Sequence, residues 1–204
     1  MKRFAILSTA LCVMLSGCTT EQPLNDDTTP NIESGTPPES ETDANQTQAF
    51  VFDSGVLEIG DFDPYTIGDD IFDPCTEITQ EEFAAAGFED VEPVLEKYAG
   101  IAQGKSACFV RPDEDTFTLG FINNNSNREL IEAATDLFEF KSNLIPELFT
   151  FGPIETLSVG CFAQVDTEGG ALVAAAAGLE GFTTREDTCS KAISAIEGLY
   201  RLNQ

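Results

Sequence analysis

Six cysteines in a chain of 204 residues constrain the fold more than any other feature of this sequence. Two of them, Cys12 and Cys18, lie within the first 18 residues. The other four are Cys75, Cys108, Cys161 and Cys189. A zinc site is the alternative use of four cysteines, but no spacing is C-x-x-C and the chain contains no His. An even number of cysteines in an exported chain favours two disulfides.

The N-terminal residues have the pattern of an export signal. Lys2 and Arg3 precede an apolar run from Phe4 to about Leu15, which is shorter than the ~20 residues that span a bilayer. The motif Leu15-Ser16-Gly17-Cys18 then resembles the lipobox of bacterial lipoproteins, in which cleavage before the cysteine leaves its thiol carrying a diacylglycerol. The resemblance implies a signal peptide over residues 1–17 and lipidation at Cys18. The alternative is an ordinary secretory signal with a chance cysteine.

The chain is strongly acidic, and export would make it more so. Loss of residues 1–17 removes Lys2 and Arg3, so eight basic residues remain against 36 acidic ones, a formal charge of about −28. Such a surface repels nucleic-acid phosphates and anionic lipid headgroups, so we exclude nucleic acid as a partner. No second apolar run is long enough to cross a membrane, and we expect membrane contact through the lipid on Cys18.

The absence of His also limits the chemistry. It excludes Ser-His-Asp and Cys-His nucleophile pairs and the usual His-ligated catalytic metals. Paired carboxylates remain for a hydrolase of envelope glycans, but with 36 acidic residues some pair always looks plausible. We therefore predict a noncatalytic protein without a cofactor.

Composition divides the mature chain into a tether and one domain. Residues 18–49 are rich in Thr, Ser, Pro, Asn, Gln, Asp and Glu, with Leu24 and Ile32 as the large apolar residues. Such a segment cannot offset its ordering entropy by burial, so we predict a disordered tether with a reach of about 30 Å. Residues 50–204 are long enough for a single core and are predicted to form one globular domain.

Several segments of this domain carry clear secondary-structure signals. Residues 51–73 suggest short strands, alternation predicts a hairpin over residues 105–121, and a Gly-Gly turn between two strands predicts a second hairpin over 157–177. Capping signals predict three helices: one from Thr79 to Gly87, one from Ser126 to about Phe140, and a last one capped by Asp187 or Thr188. We predict an α+β fold, a mostly antiparallel sheet with two or three packed helices.

An acidic cluster occupies the first segment of the domain. Its members are Asp61, Asp63, Asp69, Asp70 and Asp73. Oxygen-rich clusters can hold Ca²⁺, but the EF-hand loop pattern is missing. We favour a solvated acidic edge over a Ca²⁺ site and assign no metal ligand.

The four cysteines fit this layout with a rough symmetry. Cys75 precedes a helix and Cys108 lies on a predicted strand; Cys161 lies on a strand and Cys189 begins a helix. Three pairings are open, and we expect Cys75 with Cys108 and Cys161 with Cys189.

Residues 143–155 follow neither a helix nor a strand period. Their apolar side chains are interleaved with Pro146 and Pro153. Such a segment is either a loop folded over the core, which we favour, or an exposed patch that meets a partner. As the best candidate for a partner-binding site we select Ile145, Leu148, Phe149, Phe151 and Ile154.

The order and context of the cysteines resemble a family of actinobacterial cell-envelope lipoproteins, common in mycobacteria and corynebacteria, that carry a four-cysteine domain of unknown function. The resemblance covers about residues 71–202. It consists of the lipobox, a polar linker, Asp73-Pro74-Cys75 before a short helix ending in Gly87-Phe88, and the later cysteines. It implies location and fold type but no established activity.

The resulting prediction is an exported lipoprotein, anchored at the extracytoplasmic face of the cell membrane, with a noncatalytic binding or accessory role. Its partner would be an envelope or membrane protein complex. The alternative is a carrier of a lipid or other apolar ligand, held between the sheet and the helix of residues 128–140.

Overall fold

The structure is a computed structural model that describes residues 48–68, 70–94, 105–111, 117–153 and 158–202. All of them belong to one compact unit. The predicted signal peptide, Cys18 and nearly all of the predicted tether lie outside the described residues.

Nine strands and four helices are present in the described ranges. The strands are β1 (Ala49–Phe52), β2 (Gly55–Glu58), β3 (Val91–Pro93), β4 (Ala107–Val110), β5 (Phe117–Asn124), β6 (Leu137–Phe138), β7 (Phe149–Phe151), β8 (Ser158–Thr167) and β9 (Gly170–Leu179). The helices are α1 (Pro74–Glu77), α2 (Gln80–Ala85), α3 (Arg128–Ala134) and α4 (Arg185–Tyr200). None of these helices is long and apolar enough to cross a membrane.

Seven of the strands form one sheet in the order β3-β4-β5-β9-β8-β7-β6, and every pairing in it is antiparallel. The α+β prediction is confirmed. Both predicted hairpins are also present, as β4–β5 and β8–β9. Local alternation and glycine turns specify such hairpins, because the pairing partners are close in sequence.

One face of the sheet builds the main core against α4. Alternate residues of β9, Leu172, Ala174 and Ala176, are at most 2% exposed. They lie in the same buried cluster as Ile196 and Leu199 of α4. The small side chains of β9 allow the helix to approach the sheet closely, as the alanine run suggests.

The β1–β2 hairpin forms a separate two-stranded sheet on this body. The Phe50 ring packs edge-on against Tyr200 at 5.5 Å, and the backbone N–H of Asp53 donates to Glu82 Oε1 at 2.7 Å. Ile59 bridges to Thr167 at the end of β8. The first segment of the domain is therefore held by side-chain packing in the core and by backbone hydrogen bonds to the end of β8.

Capping boxes are present at the starts of α2 and α4. Thr79 and Glu82 form a capping box at α2, and Gly87 takes a positive φ of 92° after it, both as predicted. The prediction for α4 is wrong by several residues. Its N-cap is Thr184, and Asp187 is the third helical residue that completes a capping box with it.

The predicted helix of residues 126–140 is the largest error in the fold. α3 is capped by Asn127, whose Oδ1 accepts from the backbone N–H of Leu130, and it ends at Ala134. Leu137 and Phe138 instead form β6, paired with β7. No side chain of α3 is fully buried, and Leu130 and Ile131 of the predicted apolar stripe are only half-buried. Pairing with a distant strand has overridden the local helical period.

Candidate functional site

The aperiodic segment selected as a partner-binding site lies mostly in the core. Ile145, Leu148 and Phe149 are 0, 2 and 4% exposed, so their side chains offer no surface to a partner. Phe151 is half-buried, with its ring stacked on Phe162 at 5.2 Å. Ile154 lies outside the described residues. The partner-binding assignment is therefore wrong for the three buried positions, which follow the core-covering alternative.

Hydrogen bonds to Ser142 explain why this segment turns inward. The Ser142 hydroxyl accepts from the backbone N–H groups of Leu144 and Ile145 and donates to Glu197 Oε1 at 2.6 Å. These bonds tie the start of the segment to α4. The apolar side chains that follow are thereby directed into the core.

Two disulfides are present with the expected pairing. The first disulfide joins Cys75 to Cys108 with a Cα–Cα distance of 5.6 Å, and the second disulfide joins Cys161 to Cys189 with a Cα–Cα distance of 5.0 Å. Each connects a helix to the sheet. Disulfides of this kind are compatible with an exported domain.

The acidic segment has structural roles in several places. Asp73 caps α1 by accepting from the backbone N–H of Cys75, and it also accepts from the Ser106 hydroxyl. Asp63 accepts from the backbone N–H groups of a turn at residues 65–67, where a strand was expected. Asp61 and Asp70 are exposed, and Asp69 is not described.

A cavity of about 430 Å³ opens between this segment and the start of α3, with Asp61, Asp63 and Glu129 in its walls. Within the described ranges, no group of three His, Cys, Asp or Glu side chains is arranged to hold a metal ion.

A buried polar cluster on the second face of the sheet was not predicted. Gln164 of β8 is fully buried, and its Nε2 donates to Asp166 Oδ1 and to the backbone carbonyl of Ser126, both at 2.8 Å. Its Oε1 accepts from Asn124 Nδ2 at 3.2 Å. The Lys105 ammonium donates to Asn124 Oδ1 at 2.7 Å and closes the cluster at its outer edge.

The carboxylate of Asp166 is the titratable centre of this cluster. It is 9% exposed, and its Oδ2 accepts from the backbone N–H of Arg128 at 2.7 Å. Burial raises the pKa of Asp166 above its usual range, against the lowering effect of the hydrogen bonds from Gln164 and Arg128. The named polar atoms satisfy one another, so we assign the cluster a structural role: it joins β5 and β8 to the start of α3.

A second cavity, of about 520 Å³, lies on the other side of the molecule beside β4 and β5. Leu119, Val110, Phe117 and Phe88 supply its apolar wall, and Lys191 of α4 lies at its edge. Arg111 also lines it and pairs with Asp90 and Glu92. Its volume falls within the range of small-molecule sites.

The turn that joins β9 to α4 exposes two large apolar side chains. We name residues 179–183 the β9–α4 turn. Leu179 is 61% exposed and Phe182 is 79% exposed. Sequence reasoning missed this turn because the core periodicity of β9 and α4 says nothing of the residues between them. The available signal was Leu179-Glu180-Gly181-Phe182, in which apolar residues flank a polar, glycine-containing turn.

Comparisons with protein-family models, with curated proteins and with solved structures give no match for this chain. The site therefore has to be interpreted from its own residues.

Proposed function

We propose that this protein is an exported lipoprotein of the cell envelope with a noncatalytic binding or accessory role at the extracytoplasmic face of the membrane. The observation that carries the proposal is the pair of disulfides within one domain. Structural disulfides persist in oxidising compartments and are rare in the cytosol. Together with the lipobox-like motif before Cys18, they support export followed by anchoring. The cysteine order also supports membership in the actinobacterial lipoprotein family.

The noncatalytic part of the proposal is supported by how the most buried carboxylates are used. Glu82 accepts from the backbone N–H groups of Asp53 and Thr79, and Asp166 accepts from the backbone N–H of Arg128. Burial by itself raises the pKa of Glu82. These bonds and one from the Thr79 hydroxyl lower it by more, so the pKa of Glu82 lies below its usual value. A carboxylate committed to backbone donors stabilises the fold and is poorly placed to transfer a proton to a substrate.

Anchoring is tested by replacing Cys18 with alanine in the native host. The unaltered chain should partition into the detergent phase and incorporate labelled fatty acid, and the Cys18→Ala variant should do neither. Cys12→Ala is the matched control, because Cys12 lies inside the predicted signal peptide and would leave the mature chain unchanged. Equal labelling of the Cys18→Ala variant would refute lipidation at Cys18.

The binding role is tested by in-cell cross-linking, detergent extraction and purification of the unaltered lipoprotein. Recovery of one envelope component in a fixed ratio, absent from the Cys18→Ala preparation, would support the accessory role. Recovery of the protein alone would refute it.

The cavity beside Leu119 favours a second candidate, carriage of a small apolar ligand. The helix of residues 128–140 that was expected to cover the ligand is not formed, because α3 ends at Ala134 and residues 137–138 are a strand. If the cavity carries a ligand, solvent extraction of the purified protein should release that ligand in stoichiometric amount, and mass spectrometry would identify it. Val110→Trp, which fills the cavity, should abolish the signal, whereas Val56→Trp at an exposed position of β2 should retain it. An empty extract from the unaltered protein would exclude this candidate.

A further inference from the structure

We infer that the β9–α4 turn is a docking anchor for a partner protein whose surface offers an apolar pocket bordered by Lys or Arg side chains. The inference rests on the proposed binding role and names its site and the chemistry of its partner. It is carried by three properties of the turn: its fixed backbone, its apolar exposure and the charge around it.

Hydrogen bonds fix the backbone of the turn. The carbonyl of Leu179 accepts from the backbone N–H groups of Phe182 and Thr183, both at 3.1 Å, and from the Thr183 hydroxyl at 3.0 Å. Gly181 takes a φ of 85°, which an L side chain adopts only with strain. A Cβ at Gly178 would overlap the Thr183 side chain, so this glycine is required for the close packing of the turn.

The structure behind the turn is equally constrained. Thr184 and Asp187 form the capping box of α4 directly after it. The Arg185 guanidinium donates to the carbonyls of Gly160 and Pro153, both at 2.9 Å. Four residues further on, the second disulfide attaches α4 to β8. Phe182 is therefore presented on a preorganised support, and binding through it costs little ordering entropy.

The β9–α4 turn differs from the other apolar surface positions because it exposes two large apolar side chains close together in sequence. Single exposed apolar side chains are normal on proteins, as with Val56 on β2 and Tyr65 in a loop. Leu179 and Phe182 are instead paired on one turn, at 61% and 79% exposure. Aromatic side chains that enter a desolvated pocket are the usual energetic centres of protein interfaces.

The charge around the turn selects among the possible occupants. Glu180, Glu186 and Asp187 are exposed beside it, and hydrogen bonds from Thr184 hold the pKa of Asp187 below its usual range. The guanidinium of Arg185, the basic group within this stretch, is bonded to backbone carbonyls and lies over the Phe138 ring at 4.5 Å. The surface around Phe182 is thus apolar with a negative border.

A negative border favours a basic partner and disfavours two other occupants. A second copy of this chain carries a net charge of −26, and an anionic membrane surface is also negative, so both would meet like charge. A protein with an apolar pocket bordered by Lys or Arg offers both complementary features.

The test uses the full chain in its native cells, with the photo-cross-linker p-benzoylphenylalanine in place of Phe182. The matched control carries the same group in place of Tyr65, which is 84% exposed on a different surface. We expect the first site to give one discrete protein adduct, mapped to a peptide that contains Lys or Arg, and the control site to lack it. Equal adducts at both sites, or adducts to lipid or to a second copy of the chain, would overturn the inference.

The partner identified in this way is then purified for affinity measurements. Phe182→Asp should weaken binding by about 30-fold or more, and Phe182→Leu by about tenfold or less, as expected for loss of an interface centre. Added salt should slow association, since the complementary charges act at long range. An affinity for Phe182→Asp within twofold of the unaltered chain would overturn the inference. Thermal unfolding of this variant should be unchanged, because the side chain is exposed.

General chemical cross-linking of the same cells separates the two proposals. A stoichiometric partner that is captured generally but never at position 182 leaves the binding role intact and overturns the docking anchor. The absence of a partner in both experiments refutes the binding role itself.

Discussion

Replacing both cysteines of the second disulfide with alanine should lower the free energy of unfolding by about 4 to 5 kcal/mol. The bridge closes a loop with a sequence separation of 28, for which the chain-entropy model gives about 3.6 kcal/mol at 25 °C. Cys161 and Cys189 are 1 and 0% exposed, so loss of their sulfur atoms also leaves a small cavity that costs roughly 1 kcal/mol. For a domain of this size the melting temperature should fall by about 10 to 18 °C.

The assay is urea unfolding at 25 °C followed by far-UV circular dichroism, since the chain has no Trp for fluorescence. The matched comparison is the double alanine variant of the first disulfide. Its longer loop, with a separation of 33, gives about 3.7 kcal/mol. Cys75 is only half-buried, however, so the cavity cost is smaller. The second disulfide should therefore matter more, although its loop is shorter.

Two results would refute this reasoning. One is a loss below about 1.5 kcal/mol for the second-disulfide variant with an unchanged m-value, which would mean that the unfolded chain is not constrained as the entropy model requires. The other is a first-disulfide variant that is clearly the less stable of the two, which would show that burial of the sulfur atoms is not what ranks the bridges.

Three further predictions follow from burial and from the polar cluster. Under native conditions dithiothreitol should reduce the first disulfide before the second, because Cys75 is partly accessible; alkylation and peptide mapping would show this, and equal rates would contradict it. Gln164→Leu should lower the free energy of unfolding by about 2 to 3 kcal/mol, because it removes hydrogen bonds from the buried Asn124 and Asp166 side chains and from the half-buried carbonyl of Ser126; Thr118→Leu, exposed on the same face, should change it little in the same urea titration. Burial raises the pKa of Asp166 above 3.8, so its contribution to stability is complete below that pH and is lost as the pH rises through the folded pKa. The free energy of unfolding of the unaltered chain, relative to Asp166→Asn, should therefore fall as the pH increases from 3.8, and a constant difference across this range would contradict the prediction.

Local signals account for the parts of the fold that the sequence predicts correctly. The β8–β9 hairpin has alternation on β8, an apolar run on β9 and glycines between them, so its partners are specified by nearby residues. The disulfide pairing follows the order of the cysteines, since each bridge joins two consecutive cysteines of the domain, one on a helix and one on a strand. The capping box of α2 is likewise complete within four residues.

The error at β6 has a different origin, because it depends on a strand outside the segment that carries the helical period. Leu137 and Phe138 continue the helical period of α3, but they pair with the edge of β7 instead. No pattern in their own segment indicates this pairing. The start of α4 is a separate case. Thr184 and Asp187 have capping-box spacing in the sequence, so the cap predicted at Asp187 or Thr188 could have been placed at Thr184 from local residues alone.

In the candidate sites, too, burial and exposure depend on contacts that the local sequence does not specify. Gln164 and Asp166 alternate with Ala163 and Val165 as an outward-facing polar row would, and only the fold reveals that this row is covered. Burial of Ile145 similarly depends on Ser142 reaching α4. Exposure of Phe182 follows from the turn geometry and cannot be deduced from its apolar character.

The position of the first disulfide has a mechanical consequence. A pull on the N-terminus loads the β1–β2 hairpin first, and Phe50, Phe52 and Leu57 of this hairpin are buried in the main core. Once these contacts and the backbone bonds to the end of β8 are broken, residues 48–74 lengthen the chain by about 90 Å before the tension reaches Cys75. There the covalent link to Cys108 passes the load directly into the seven-stranded sheet. The helix α2 and the strand β3, which lie between these two cysteines in the chain, are thereby bypassed by the load.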